Sequence, residues 1–150
     1  MKEKVKSNLV IEIENKIVSI LKKEGFELID VEITGGKDRY ITVYIYKNEK
    51  NDLEELGNLN RVIYPAIETI PQLKNGFVLE VSSPGIFRKF KYAKEINIFK
   101  DKTVKIISNE GEEIIGVLFC LNTGNEVEII LNGKIINISI DNIKSIQLNG

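Results

Sequence analysis

Apolar residues recur at helical spacing at Leu9, Ile13, Ile17, Ile20 and Leu21, with Glu12, Glu14, Lys16, Lys22 and Lys23 on the other faces. The spacing predicts an amphipathic helix that ends at Gly25, a natural C-terminal cap. From residue 26 the period changes to two. Ile29, Val31 and Ile33 alternate with Asp30 and Glu32, as a half-buried strand does. Gly35-Gly36-Lys37-Asp38 is a turn, and residues 40–46 alternate again. Asn51 or Asp52 can cap a second helix, with Glu54 or Glu55 completing a capping box. Leu56, Leu59, Ile63, Ala66, Ile67 and Ile70 form its apolar stripe, and Pro65 inside it predicts a kink or a restart. Residues 76–81 supply a third strand. The order αββαβ predicts one sheet with both helices on one face.

The second half has a different rhythm. Residues 103–108, 112–120, 126–131, 134–140 and 143–148 read as strands, separated by turns at 109–111, 122–125, Asn132-Gly133 and Asp141-Asn142. Asn-Gly between alternating apolar runs is a strong hairpin signal, because a type I′ turn needs positive φ at both positions. Five short strands in so few residues predict a small closed or nearly closed barrel, since closure hides sheet edges. The whole is therefore an α+β chain. Residues 1–83 form an N-terminal α/β domain, 84–100 a linker and 101–150 a five-stranded β-barrel. Without a core-like period in residues 84–100, the two ends are expected to have separate cores.

Charge changes this picture most at the junction. The 150 residues carry a net charge of −1, which excludes a strong global field. Residues 1–83 hold 12 basic and 14 acidic side chains, residues 84–102 hold 6 and 2, and residues 103–150 hold 3 and 6. The basic side chains Arg88, Lys89, Lys91 and Lys94 alternate with Phe87, Phe90 and Tyr92. A basic segment between two acidic halves marks where a polyanion would dock. Phe87 and Phe90 are expected to wedge this segment against a domain.

The same region carries a motif. Leu79-Glu80-Val81-Ser82-Ser83-Pro84-Gly85 ends a strand and breaks the backbone at Pro84-Gly85. This segment resembles, letter for letter, the interdomain motif of the bacterial ribosome maturation factor RimP family. Gly25-Phe26-Glu27-Leu28, residues 111–118 and Asp141-Asn142-Ile143 are similar to further stretches of that family, in the same order. After the motif the family usually reads Leu-Asp-Arg-Pro-Leu, whereas this chain reads Ile86-Phe87-Arg88-Lys89-Phe90. The arginine is kept, and the aspartate and proline are replaced. The resemblance implies an SH3-like barrel in the second half. It also implies a non-enzymatic protein that binds the maturing small ribosomal subunit, its RNA and a decoding-region ribosomal protein.

The residues point to no catalysis. The sequence has no histidine and one cysteine, Cys120, so the commonest general base and the usual zinc ligands are missing. Ser82 and Ser83 have no histidine to activate them and sit outside a Gly-x-Ser-x-Gly elbow, so they read as corner residues bonding the backbone. With Pro84 and Gly85 they form a structural hinge. Gly35-Gly36-Lys37 lacks the spacing of a phosphate loop. Leu118, Phe119 and Leu121 around Cys120 predict a mostly buried structural thiol. No cofactor or metal is expected. Tyr40, Tyr44 and Tyr46 share one strand face. That face can stack RNA bases or pack under the helices, and at least one tyrosine is expected under them.

No apolar run approaches the roughly 20 residues that span a bilayer, and the charged N-terminus does not read as a signal peptide. A cytoplasmic monomer is expected. Two functions stand: a ribosome maturation factor for the small (30S) subunit, or a two-domain adaptor whose barrel binds a protein or peptide.

Overall fold

The computed structural model describes residues 1–36, 38–48 and 53–150. They form a mixed α+β structure with two sheets. The chain divides into two compact units, Lys6–Pro84 and, together, Met1–Val5 with Gly85–Gly150.

In the first unit, helix α1 spans Asn8–Lys23. The Ser7 hydroxyl accepts the Val10 N–H at its start. At its end Gly25 takes φ +87°, and the Gly25 and Phe26 N–H groups donate to Lys22 and Leu21. This is the paired closure that a glycine just past the helix permits. Strands β1 (Glu27–Thr34) and β2 (Tyr40–Tyr46) are antiparallel. Helix α2 (Leu53–Glu68) crosses to β3 (Val78–Ser82), which lies parallel to β2 with Tyr40 beside Val78. The capping positions Asn51 and Asp52, and Lys37 of the first turn, lie outside the described residues. The helix runs unbroken through Pro65 rather than restarting there. Burial of Ile63 and Ile67 on either side holds it, outweighing one lost backbone bond.

The core of this unit joins Ile13, Ile17 and Leu21 of α1 with Ile63 and Ile67 of α2, against Ile41, Val43 and Ile45 of β2. Strand alternation therefore sends Tyr40, Tyr44 and Tyr46 to the opposite face. The expectation of a tyrosine beneath the helices is corrected, because the isoleucines and valine of β2 occupy that side.

In the second unit the short helix α3 (Lys94–Ile98) precedes β4 (Thr103–Ser108), β5 (Glu113–Leu121), β6 (Glu126–Leu131), β7 (Lys134–Ser139) and β8 (Ile143–Leu148). All pairings are antiparallel, in the order β7-β6-β5-β4-β8. Asn132 and Gly133 adopt φ +52° and +77°, as the hairpin signal requires. Gly116 of β5 packs its backbone against Ile129 and Ile130 of β6. A Cβ there would stand 2.4 Å from the Ile129 Cγ2 atom and 2.9 Å from the Ile130 carbonyl oxygen.

The sheet stays open, correcting the expectation of closure. Among the described residues no pairing joins β7 to β8. The chain protects the β8 edge by other means. Phe90 N–H donates to Ile146 at 2.9 Å, Leu148 N–H to Arg88 at 2.9 Å and Gly150 N–H to Ile86 at 3.2 Å. Lys89 lies in antiparallel register with Gln147. Residues 86–90 thus cover the outer side of β8, which an uncovered edge would otherwise offer to other chains.

This alters the reading of residues 84–100 as a linker. Phe90, Tyr92, Ile96 and Phe99 are buried, and the Phe90 and Phe99 rings stack at 5.2 Å. Their spacing follows an edge extension and a short helix in succession, so no single period shows in the sequence. Residues 1–5 also belong to this unit rather than to the helix–sheet unit. The Glu3 carboxylate accepts the Ala93 N–H at 2.7 Å, and the Met1 ammonium donates to the Ile140 carbonyl.

Candidate interaction surface

The motif strand β3 ends at Ser82, whose hydroxyl donates to the Ser83 carbonyl at 3.0 Å. Pro84 closes the first unit and Gly85 opens the second. Gly85 adopts φ +84° in open space, so its backbone conformation, rather than crowding, calls for glycine.

The four predicted cations then separate. Arg88 is only 8% exposed, and Glu95 is fully buried. The Arg88 Nε donates to Glu95 Oε1 at 2.7 Å. The other carboxylate oxygen of Glu95 accepts the N–H groups of Lys91 at 2.7 Å and Tyr92 at 2.9 Å. One carboxylate therefore ties the edge-covering segment to the turn that starts α3. The Arg88 guanidinium is held inside the fold, so an external polyanion could meet it only by breaking this pair. Phe87 precedes Arg88, and the carboxylate that Arg88 meets comes from Glu95, seven residues later. The only hint in the sequence was one acid within a basic run.

Lys89 and Lys94 are exposed, and Lys91 is half-buried. The Lys94 ammonium lies 5.9 Å from the centre of the Tyr92 ring, and Lys100 lies 5.1 Å from that of Phe119. Ile86 and Phe87 are exposed, at 68% and 60%. The Phe87 ring lies beside Gly150, where an added Cβ would stand 3.0 Å from it. Of the two phenylalanines expected to wedge the segment, only Phe90 is buried. The surface therefore combines an exposed apolar pair with lysines on a hydrogen-bonded backbone.

Elsewhere the tyrosine face is tied to carboxylates and an amide. Tyr40 donates to Glu80 at 2.7 Å, Tyr44 to Glu32 at 3.3 Å and Tyr46 to Asn48 at 3.2 Å. The Glu80 bond holds the Tyr40 phenol above its ordinary pKa, because the neutral phenol is the donor. Carboxylates among the rings repel phosphates, so this face is a poor RNA platform. Cys120 is half-buried rather than buried, with its Sγ 3.4 Å from Glu128 Oε2. Desolvation, then the Glu128 carboxylate, pushes its thiol pKa up. Among the described residues no group of side chains could hold a metal ion, and no helix is long and apolar enough to cross a membrane.

Residues 16–87 match the family described as the RimP N-terminal domain. The chain is 35% identical over 105 residues to the ribosome maturation factor RimP of Borreliella burgdorferi strain ZS7, covering 68% of this chain and 71% of that protein. It is 32% identical over 104 residues to the protein of the same name from Borrelia turicatae strain 91E135, with the same coverage. The chain belongs to the RimP family. The family match runs through the strand β3 motif, past the unit boundary at Pro84, and stops at Phe87, one residue before the buried Arg88.

Proposed function

We propose that this protein is a non-enzymatic, cytoplasmic ribosome maturation factor that binds the assembling small (30S) subunit as a monomer. Its partners are ribosomal RNA and a decoding-region ribosomal protein. Membership of the RimP family carries this reading. The cation distribution refines it. Lys89, Lys91 and Lys94 stand on a segment hydrogen-bonded to β8 and anchored through Glu95, so their backbone is fixed before any partner arrives. Pre-ordered cations lose less freedom on binding than cations on a loose linker. Net charge of −1 keeps non-specific attraction to RNA low and allows release. Ser82, Ser83, Pro84 and Gly85 act as the hinge between units that fold separately. The open five-stranded sheet belongs, in this reading, to the SH3-like class.

Sucrose-gradient sedimentation of the purified protein with small subunits tests the proposal. Comigration is expected, and a triple Lys89→Gln, Lys91→Gln, Lys94→Gln variant should bind more weakly. Its salt dependence should flatten by roughly 0.7–0.9 log units per lost phosphate contact. No comigration at low salt would refute the ribosomal reading. Comigration with an unchanged salt slope would refute the lysine surface alone.

A further inference from the structure

The two edges of the second sheet are treated differently. Residues 86–90 cover β8, whereas among the described residues β7 pairs with β6 alone. The register fixes what β7 presents. Leu131 and Lys134 close the two-residue Asn132-Gly133 turn, and Ile129 pairs with Ile136. Alternation along an antiparallel ladder then points the backbone groups of Ile135 and Asn137 away from β6. Lys134 is the one charged side chain on β7, and the strand carries no proline or bulge. The devices that normally blunt an edge are therefore nearly absent.

The outward face beside this edge has a chemical polarity. Val117, Ile130 and Ile135 lie in one row across β5, β6 and β7, with Ile135 55% exposed. Towards the other end, Glu128 pairs in register with Asn137, and Glu126 with Ser139. The Glu126 carboxylate accepts from the Asn137 amide at 3.5 Å. Lys134 stands at the hairpin end, beyond the apolar row. Lys100 lies over Phe119 on β5, two strands back from the edge.

We propose that β7 is a docking edge for an extended segment of a partner protein. The segment adds as a sixth strand, sets an apolar side chain against Ile135 and turns basic side chains towards Glu126 and Glu128. Backbone hydrogen bonds to Ile135 and Asn137 supply affinity, and one apolar and two basic side chains at every second position, all on the same face of the added strand, supply selectivity. The inference rests on the sheet alone and does not require the ribosomal reading.

The test uses the full chain, isotopically labelled, and a short synthetic peptide that carries isoleucine, lysine and lysine at successive second positions with threonine between them, blocked at both ends, so that all three face one way. The Ile135 and Asn137 amides should gain severalfold protection from hydrogen exchange as peptide is added. A matched peptide with glutamate for lysine should protect them much less. Asn137→Pro should abolish the effect with an unchanged melting temperature, because that N–H faces outward and proline is tolerated at such edge positions. Should that variant misfold, the paired change Glu126→Gln, Glu128→Gln should weaken lysine-peptide binding severalfold in a folded protein. No protection at saturating peptide, or equal protection by both peptides, would overturn the proposal. Protection that rises with protein concentration in the absence of peptide would also overturn it, by making a second copy the occupant.

Discussion

Arg88 and Glu95 form a buried ion pair, Nε to Oε1 at 2.7 Å, in a segment whose composition reads as a solvated basic linker. The pair is backed by the Lys91 and Tyr92 N–H groups on the second carboxylate oxygen. Glu95→Ala should lower stability by about 3–5 kcal/mol, because it strands a buried guanidinium and two backbone donors. Arg88→Ala should cost a similar amount, and the double variant clearly less than the sum. Urea denaturation of the four proteins measures this. Additivity to within about 0.5 kcal/mol would mean that the two side chains do not act as a pair.

The two phenylalanines of the segment should behave differently. Phe90 is 5% exposed and stacks on Phe99, so Phe90→Ala should cost about 3–5 kcal/mol. Phe87 is 60% exposed, and its truncation should stay within about 1 kcal/mol. Thermal melts of both variants decide the matter. Equal losses would mean that Phe87 packs as a core residue.

Gly116→Ala tests why the β5 stretch that resembles the family pattern carries a glycine. The backbone there does not take the left-handed conformation, so the obstacle is space. The new methyl would press on Ile129 and on the Ile130 carbonyl, costing about 1–3 kcal/mol or splaying the β5–β6 pair. Gly116→Ala combined with Ile129→Ala, which removes the Cγ2 atom met first, should cost less than the two single changes summed. A single variant as stable as the parent would show that β6 can move aside freely.

The Cys120 thiol should react slowly with iodoacetamide near pH 8 relative to a free cysteine. Its raised pKa leaves less thiolate at that pH, and thiolate is the nucleophile. Glu128→Gln removes the carboxylate that accepts the thiol proton and should shift the rate profile towards lower pH. A profile that does not move would assign the slow reaction to desolvation alone.

Much of this fold is determined locally and so was legible in the sequence. The α1 stripe with its Gly25 cap, the αββαβ order, and three of the five later strands to the residue follow from periodicity and turn chemistry. These act over a few residues. The end of strand β3 is likewise local, because a positive-φ glycine directly after proline breaks the strand wherever it occurs. Tertiary structure decided the rest. Which face of β2 lies under the helices depends on where α1 and α2 pack, and both faces of that strand are rich in large side chains. Whether residues 86–90 are linker or edge depends on β8, some sixty residues away in the chain. The same holds for charge. Arg88, Lys89, Lys91 and Lys94 are equivalent in composition, and the fold turns Arg88 to the buried carboxylate of Glu95. Burial and pairing are properties of the assembled neighbourhood, and no single residue carries them.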